Sequence, residues 1–310
     1  MSFRTVYISM DKPNFTVPRG VNPRKSDYST FMFRGDCLEH MKQLDDGSVD
    51  MILCDLPYGV THNPHDKRIP FEPLWEDYER VIKDNGAIVL FAQGLFYVDL
   101  VASNRKLFRY DLVWDKVLTT GFLNAKKMPL RQHEQIAVFY KQLPTYNPQF
   151  HQGKPLHGRG NAYKTKDLVN NNYGDFKATD DVRKGSTQKY PTSIVKINKP
   201  HPSASNHRTE KPIPLLEYLI RTFTNPGEVV MDNCMGAGGC GVAALHTGRR
   251  FVGMEIDNEY YDIAEDRIFK AHSGDIDIHY DVKVVGHTSV DAFNVKVEVS
   301  DGKLKTEQVQ

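Results

Sequence analysis

Residues 228–241 read EVVMDNCMGAGGCG. An apolar run stops at an acid, a glycine cluster follows, and VAALHTG at 242–248 has the composition of a helix. This strand–turn–helix is the opening of a nucleotide-binding α/β fold. Glycines at a helix start leave bare backbone amides at its positive end, which suits an anionic or carboxylate-bearing ligand. The same residues also serve close packing of helix on strand, so the cluster alone leaves both readings open. The next strand, RFVGMEID at 250–257, tips the balance. It ends in Glu255, at the place where a Rossmann-like site keeps an acid for ribose hydroxyls. The glycines do not follow G-x-G-x-x-G, which argues against a nicotinamide cofactor and for a related one. The helix pattern NEYYDIAEDRIFKA (258–271) follows.

A fold that opens this late must take the rest of its sheet from upstream. FMFRGD (31–36) reads as a short strand, CLEHMKQL (37–44) as a helix and SVDMILCD (48–55) as a strand. PLWEDYERVIK (73–83) sets Leu74, Trp75, Tyr78, Val81 and Ile82 on one helical face, with a stop at Asn85-Gly86 before the strand AIVLFA (87–92). LFRYDLVWD (107–115) and EQIAVFYK (134–141) are joined by a loop and read as an antiparallel edge pair. Pro212 and Pro214 begin a helix with Leu215, Leu216, Leu219, Ile220 and Phe223 in one stripe, closed by NPG at 225–227.

Bulk properties set limits. The chain has 310 residues, 40 basic and 39 acidic, 40% hydrophobic and 25% charged, which is ordinary for a globular protein with a sizeable core. Cys37, Cys54, Cys234 and Cys240 form no C-x-x-C pair, so reduced thiols are expected rather than a disulfide framework or structural zinc. His62 and His65 are three apart but lack a third ligand, and no metal is expected. No apolar segment has the length of a signal peptide, and none approaches the ~20 residues of a membrane span. The expectation is a cytoplasmic protein with no membrane partner.

LCDLPYG at 53–59 closes the strand that begins at Ser48. An Asp-Pro turn with Tyr58 packed in the core is one reading. The other is a reaction centre, because strand C-terminal ends are where α/β sheets bind ligands. Asp55 and the backbone carbonyl of Leu56 supply two acceptors for the hydrogens of an exocyclic amine. Pro57 fixes the direction of that carbonyl, and Tyr58 offers a stacking face.

Together these motifs resemble the S-adenosylmethionine-dependent DNA amino-methyltransferases of adenine N6 or cytosine N4, in the circularly permuted motif order called beta class. The resemblance covers roughly residues 31–271. DLPY at 55–58 matches the family's catalytic D/N/S-P-P-Y, with Leu56 in place of the first proline. DNCMGAG at 232–238 matches D-P-F-x-G-x-G, with Asn233 and Cys234 departing from Pro-Phe. HRTEKPIPLLEYLI (207–220) is similar to the family's H-P-T-Q-K-P helix motif. The resemblance implies cofactor contacts from Asp36, Cys37, Lys211, Asp232, Met235, Gly236, Gly238 and Glu255, with Asp36 reaching the cofactor adenine and Glu255 the ribose. It implies an α/β Rossmann-like methyltransferase fold, a circularly permuted mixed sheet with helices on both faces, whose first two strands lie at 228–257 and whose third and fourth lie at 31–36 and 49–54.

Between the two halves, residues 144–211 lose apolar periodicity and carry 12 Lys and Arg against 5 Asp and Glu. A stretch this long inside a domain is a functional unit or a solvated insertion. The resemblance makes it the target-recognition region, with Arg159, Lys164, Lys166, Arg183, Lys184 and Lys189 as phosphate contacts and Tyr146, Tyr163, Tyr173 and Tyr190 interleaved among them. Lys126, Lys127 and Arg131 add positive charge near the expected pocket. The organisation expected is an N-terminal arm (1–30), a catalytic domain (31–143 and 207–272), a target-recognition region (144–206) and a β-rich appendage (273–310), where Ile276, Ile278, Tyr280, Val282 and Val284, then Phe293, Val295, Val297 and Val299, alternate with polar residues. The implied activity is methyl transfer to adenine N6 of a base flipped from double-stranded DNA. Cytosine N4 is the alternative, and a nicotinamide-dependent oxidoreductase or a non-catalytic DNA-binding module are the alternatives of other classes. A homodimer and a cognate restriction endonuclease are the further partners the resemblance allows.

Overall fold

Apolar runs of four to eight residues, buried on both faces, build the sheet, and the 3.6-residue stripes cover it. The computed structural model describes residues 5–9, 28–60, 66–155, 169–170, 174–175, 185–199, 210–273, 294–300 and 303–309. Along the chain come β1 (Thr5–Ser9), β2 (Tyr28–Arg34), α1 (Cys37–Met41), β3 (Val49–Cys54), α2 (Phe71–Val81), β4 (Ile82–Ala92), α3 (Gly94–Ser103), β5 (Phe108–Thr120) and β6 (Arg131–Phe139). The two-residue strands β7 (His151–Gln152), β8 (Val169–Asn170), β9 (Gly174–Asp175) and β10 (Gln188–Lys189) follow. Then come β11 (Ile194–Lys196), α4 (Ile213–Phe223), β12 (Val229–Asp232), α5 (Gly239–His246), β13 (Arg250–Glu255), α6 (Asn258–Ser273), β14 (Asn294–Ser300) and β15 (Lys303–Val309).

The nine-stranded sheet has the order β1-β2-β13-β12-β3-β4-β6-β5-β11. Strands β2, β13, β12, β3 and β4 run parallel, while β6 is antiparallel to both β4 and β5. The strands from 229–255 therefore sit between those from 28–34 and 49–54, the permuted arrangement expected from the motif order. Alternate strand residues divide the core. Ile52, Ile88, Leu90, Met231, Val252 and Met254 pack with Leu74, Tyr78, Phe96 and Leu100 of α2 and α3. On the other face, Phe251 lies against Gly241 of α5 and Ile268 of α6.

Several expectations need correcting. The N-terminal arm is not without structure, because β1 pairs antiparallel with β2 and satisfies backbone groups that an open sheet edge would leave unpaired. The pair β5–β6 is antiparallel but is not the edge, since β11 adds in parallel outside β5. The helix stop near Asn85 falls earlier, because Ile82 already pairs with Val49. Helix α3 was not anticipated: GLFYVDLVAS is apolar all round and carries no periodic signal, and only its packing distinguishes it from strand.

The chain divides into two compact units, residues 1–149 with 192–276 and residues 150–191 with 277–310. Residues 144–149 and 192–199 group with the first unit. In the second unit, β7 pairs with β10, β8 with β9, and β14 with β15 in an antiparallel hairpin. The alternating residues at 276–284, Phe293 and the turn at Asp301-Gly302 lie outside the described residues. No helix among the described residues is long and apolar enough to cross a membrane.

Gly241 is the tightest point of the helical cover: a Cβ there would collide with Ile268 and lie 2.8 Å from Cε1 of Phe251. Gly241→Ala is expected to destabilise the fold by about 1–3 kcal/mol through overpacking, read as a lowered midpoint in thermal denaturation.

Candidate active site

Strands β12 and β3 are neighbours, and their connections leave in opposite directions across the sheet: β12 leads to β13, β3 to β4. This reversal opens a crevice at the carboxyl ends of the strands. A cavity there is lined by Leu53, Asp55 and Phe91 from one side, and by Asp232, Cys234, Met235, Gly236 and Ala237 from the other, with Glu210 and Lys211 between. The two motifs that the sequence holds some 180 residues apart meet in one wall.

The 55–58 turn is held from several directions. The Leu56 side chain is 3% exposed and belongs to the core shared with α2 and α3, so the residue that replaces proline contributes packing. Tyr58 donates its hydroxyl to Asp55 Oδ1 at 2.9 Å and stacks on Phe96, with centroids 4.6 Å apart. Burial, then the Asp55 charge, pushes the Tyr58 phenol well above its usual range. Arg68 donates to the Tyr58 carbonyl at 2.7 Å and to Asp99 at 2.7 Å. Asp66 accepts from the amides of Gly59 and Val60 at 2.7 and 2.9 Å, and Gly59 takes φ of +69°, where glycine is unstrained.

On the facing side, Asp232 is 6% exposed and its Oδ1 accepts from the Cys234 amide at 3.0 Å. Burial raises its carboxyl from 3.8 to about 7. Gly236 has φ of +51° and open space where a Cβ would stand. Its amide donates to Glu255 Oε2 at 2.8 Å, while Glu255 Oε1 accepts from the Asp257 amide at 2.8 Å. Glu255 is 8% exposed and burial raises its carboxyl. It stands at the end of the neighbouring strand, off the cavity wall, and pins the glycine loop.

The departures at 233 and 234 also have a physical account. Asn233 Oδ1 accepts the buried Tyr78 hydroxyl at 2.5 Å, and its Nδ2 faces the sulfurs of Cys37 and Cys234 at 3.5 and 3.6 Å. A side chain with both an acceptor and a donor thus ties the loop to α2 and to the start of α1. Cys37 lies beneath this loop, 7% exposed. Asp36 is exposed and caps α1 by accepting from the Leu38 amide at 2.9 Å. The Gly35 amide bonds to the Glu255 carbonyl at 2.8 Å, which sets Asp36 beside Glu255 at the same sheet edge. Met235 lines the cavity, but Gly238 does not: its φ is +78° and a Cβ there would strike Ala264 of α6. Gly238 is thus a position where α6 packs against the loop backbone.

Lys211 lines the cavity and extends its ammonium toward the 55–58 turn. Its ammonium is 2.5 Å from Asp55 Oδ2 and 3.4 Å from Glu134 Oε2. Glu134 in turn pairs with Lys116 at 3.2 Å. Sequence reading passed over Glu134, Lys116, Phe96, Arg68 and Asp66. Only Glu134 left a trace, as an acid at the head of an otherwise apolar strand. Lys126 and Lys127 are exposed on the β5–β6 connection, together with Phe122 and Leu123, and Arg131 is exposed at the start of β6. Because Ala92 pairs with Gln135, this connection rises from the carboxyl edge of the sheet, where the cavity lies. Lys189 belongs to β10 in the second unit and lays its stem over Gly153. Arg159, Lys164, Lys166, Arg183, Lys184, Tyr163, Tyr173, His62 and His65 lie outside the described residues.

The DNA methylase family model of the N6/N4 group matches residues 49–266. The chain belongs to that family. It is similar to the DNA adenine methyltransferase YhdJ of Escherichia coli K12, at 29% identity over 251 residues, covering 74% of this chain and 79% of the relative. Among solved structures, the PvuII DNA methyltransferase (cytosine-N4-specific) superposes with a TM-score of 0.53 at 14% identity, covering 79% of this chain and 92% of that one. M1.HpyAVI does so at 0.50 and 18%, covering 76% and 97%. At these identities the structures establish a shared methyltransferase fold.

The raised Asp232 carboxyl carries a stability consequence whose sign is fixed. Between about pH 4 and about pH 7 it stays protonated in the fold but ionises in the unfolded chain. The unfolded state then binds fewer protons, so this residue's contribution falls as pH rises through that window and is level above it. Denaturant unfolding of wild type and Asp232→Asn across that range is expected to show wild type losing ground by an amount on the order of 2–4 kcal/mol.

Proposed function

We propose that this DNA methylase uses S-adenosylmethionine to methylate N6 of an adenine flipped out of double-stranded DNA. The observation that carries the reading is the single cavity in which Asp55 of the DLPY turn faces Asp232 and Gly236 of the glycine loop. A substrate amine held at one wall and a methyl donor held at the other are thereby brought into contact distance, and such positioning is a large part of any group transfer.

The residues suit the cofactor. Asp55, Asp232 and Glu210 line the cavity and offer acceptor oxygens to a ligand's donor groups, with Lys211 paired to Asp55 and Arg267 to Glu210. Open space over Gly236 lets a ligand lie on the loop backbone. When bound, S-adenosylmethionine supplies an electrophilic methyl group on a cationic sulfur. Asp232, Met235 and Gly236 are the residues that hold it, with Glu255 fixing the loop and Asp36 at the adjoining edge.

On the substrate side, Asp55 and the Leu56 carbonyl accept the two amine hydrogens and so direct the nitrogen lone pair at the methyl. They also stabilise the positive charge that develops on nitrogen. Tyr58, backed by Phe96, supplies the stacking face that offsets the loss of stacking on flipping. The similarity to a DNA adenine methyltransferase and an aspartate at position 55 favour adenine over cytosine. DNA approaches the carboxyl edge, where Lys126, Lys127 and Arg131 meet its phosphates.

With labelled S-adenosylmethionine and genomic DNA, the label is expected in N6-methyladenine after nucleoside digestion. Label in N4-methylcytosine overturns the adenine assignment, and folded protein that labels no nucleoside overturns the reading. Asp55→Ala is expected to lower turnover by at least roughly 10²-fold with cofactor affinity largely retained, measured by single-turnover kinetics and calorimetry. Lys126→Ala/Lys127→Ala is expected to weaken DNA binding and to reduce the slope of log affinity against log salt by roughly 2, measured by fluorescence anisotropy.

A further inference from the structure

Behind Asp55 runs a row of alternating buried charges. Asp55 Oδ2 takes the Lys211 ammonium at 2.5 Å, Lys211 reaches Glu134 Oε2 at 3.4 Å, and Glu134 Oε1 takes Lys116 at 3.2 Å. Lys116 also donates to Thr120 Oγ1 at 3.4 Å. The Asp55 side chain is 30% exposed, and the three members behind it are buried or nearly so: Lys211 9%, Glu134 12% and Lys116 3%. Four different parts of the chain supply it: the turn after β3, the segment before α4, β6 and β5. Lys211 also sits 5.0 Å over the Phe91 ring. Burying four charges costs several kcal/mol per ion unless each is paired. The outer pair, Glu134 and Lys116, touches neither motif, so its presence calls for a role.

Lys211 is the member that Asp55 feels directly. An ammonium with Asp55 as its sole anion would place its whole positive charge against that carboxylate and weaken it as an acceptor. Glu134 divides Lys211 between two carboxylates, and Lys116 keeps Glu134 ionised despite its burial. The cations beside it, with Lys211 first, hold the Glu134 carboxyl below its usual range. We propose that Glu134 is a positioning residue for the methylation reaction: by sharing Lys211 it leaves Asp55 basic enough to accept the substrate amine's hydrogen. This rests on the amino-methylation reading above. The amine nitrogen loses one proton for each methyl it gains, and Asp55 is the carboxylate placed to receive it and pass it to solvent.

The groups facing Asp55 and Lys211 are Tyr58 from the same turn, Asp232 from the end of β12, Glu134 from β6, Lys116 from β5 and Lys199 from the segment after β11. Removing the Glu134 charge returns the whole of Lys211 to Asp55. The carboxylate, facing the full ammonium charge, is then a poorer acceptor of the amine's hydrogen. Glu134→Gln is expected to lower kcat by roughly 10²-fold, to move the acid limb of kcat against pH down by roughly 1 pH unit, and to leave the calorimetric affinity for S-adenosylmethionine unchanged.

Glu134→Gln also strands a buried Lys116, which by itself destabilises, so the deciding variant is Lys116→Met/Glu134→Gln. That pair removes both outer charges. It is expected to restore the thermal midpoint while kcat stays low and the acid limb stays displaced. Recovery of wild-type kcat in the double variant overturns the proposal and makes the outer pair a packing element only. An acid limb that does not move overturns it as well. Wild-type turnover in the same assay tests the methylation reading separately, since the variants are scored only against it.

Discussion

The adjacency of β12 and β3 is the constraint on which the site depends. Val230 pairs with Met51 and Met231 with Ile52, and the buried carboxylate of Asp50 accepts the Val229 amide at 3.0 Å. These contacts join segments about 180 residues apart in a fully buried strand pair. The glycine loop emerges from one strand and the DLPY turn from the other, at the same edge and one strand spacing apart. The loop and turn are then held in place by separate ties, Asn233 to Tyr78 and Glu255 to Gly236 on one side, Arg68 and Asp66 on the other.

Electrostatics within that frame follow from burial. Dehydration pushes Asp232 up to about 7, while Lys211, held by Asp55 and then Glu134, keeps its charge despite its burial. The acceptor oxygens of Asp232 on one side suit the donor groups of the methyl donor, and the Asp55 carboxylate on the other suits the developing positive charge on the amine. The same arrangement leaves the basic surface outside, on the β5–β6 connection.

Two departures from the family pattern gain a physical meaning from the tertiary structure. Leu56 fills the core beneath the turn, so the position needs an apolar side chain there and its carbonyl, not a proline ring. Asn233 replaces the first residue of a Pro-Phe pair and uses both ends of its amide. Neither role is visible from the motif, because each partner, Tyr78 and Cys37 for Asn233 and the α2–α3 core for Leu56, comes from elsewhere in the chain.

The sequence by itself determined the strands and most helices that carry a clear period, the permuted order of the halves, and the residues of the two loops that line the cavity. Those features are local: a run of apolar residues ending in an acid, a glycine where φ is positive, an Asp-x-Pro-Tyr turn. It did not determine helix α3, whose apolar residues lack a period, nor the edge strands β1 and β11, which exist because neighbouring strands offer unpaired backbone groups. It did not show that α6 packs directly against Gly238, since that depends on what stands where its Cβ would be. Nor did it reveal the row from Asp55 through Lys211 and Glu134 to Lys116. Ion pairing acts through space over a few ångströms, and only the folded sheet brings four charges from four separate segments within that distance.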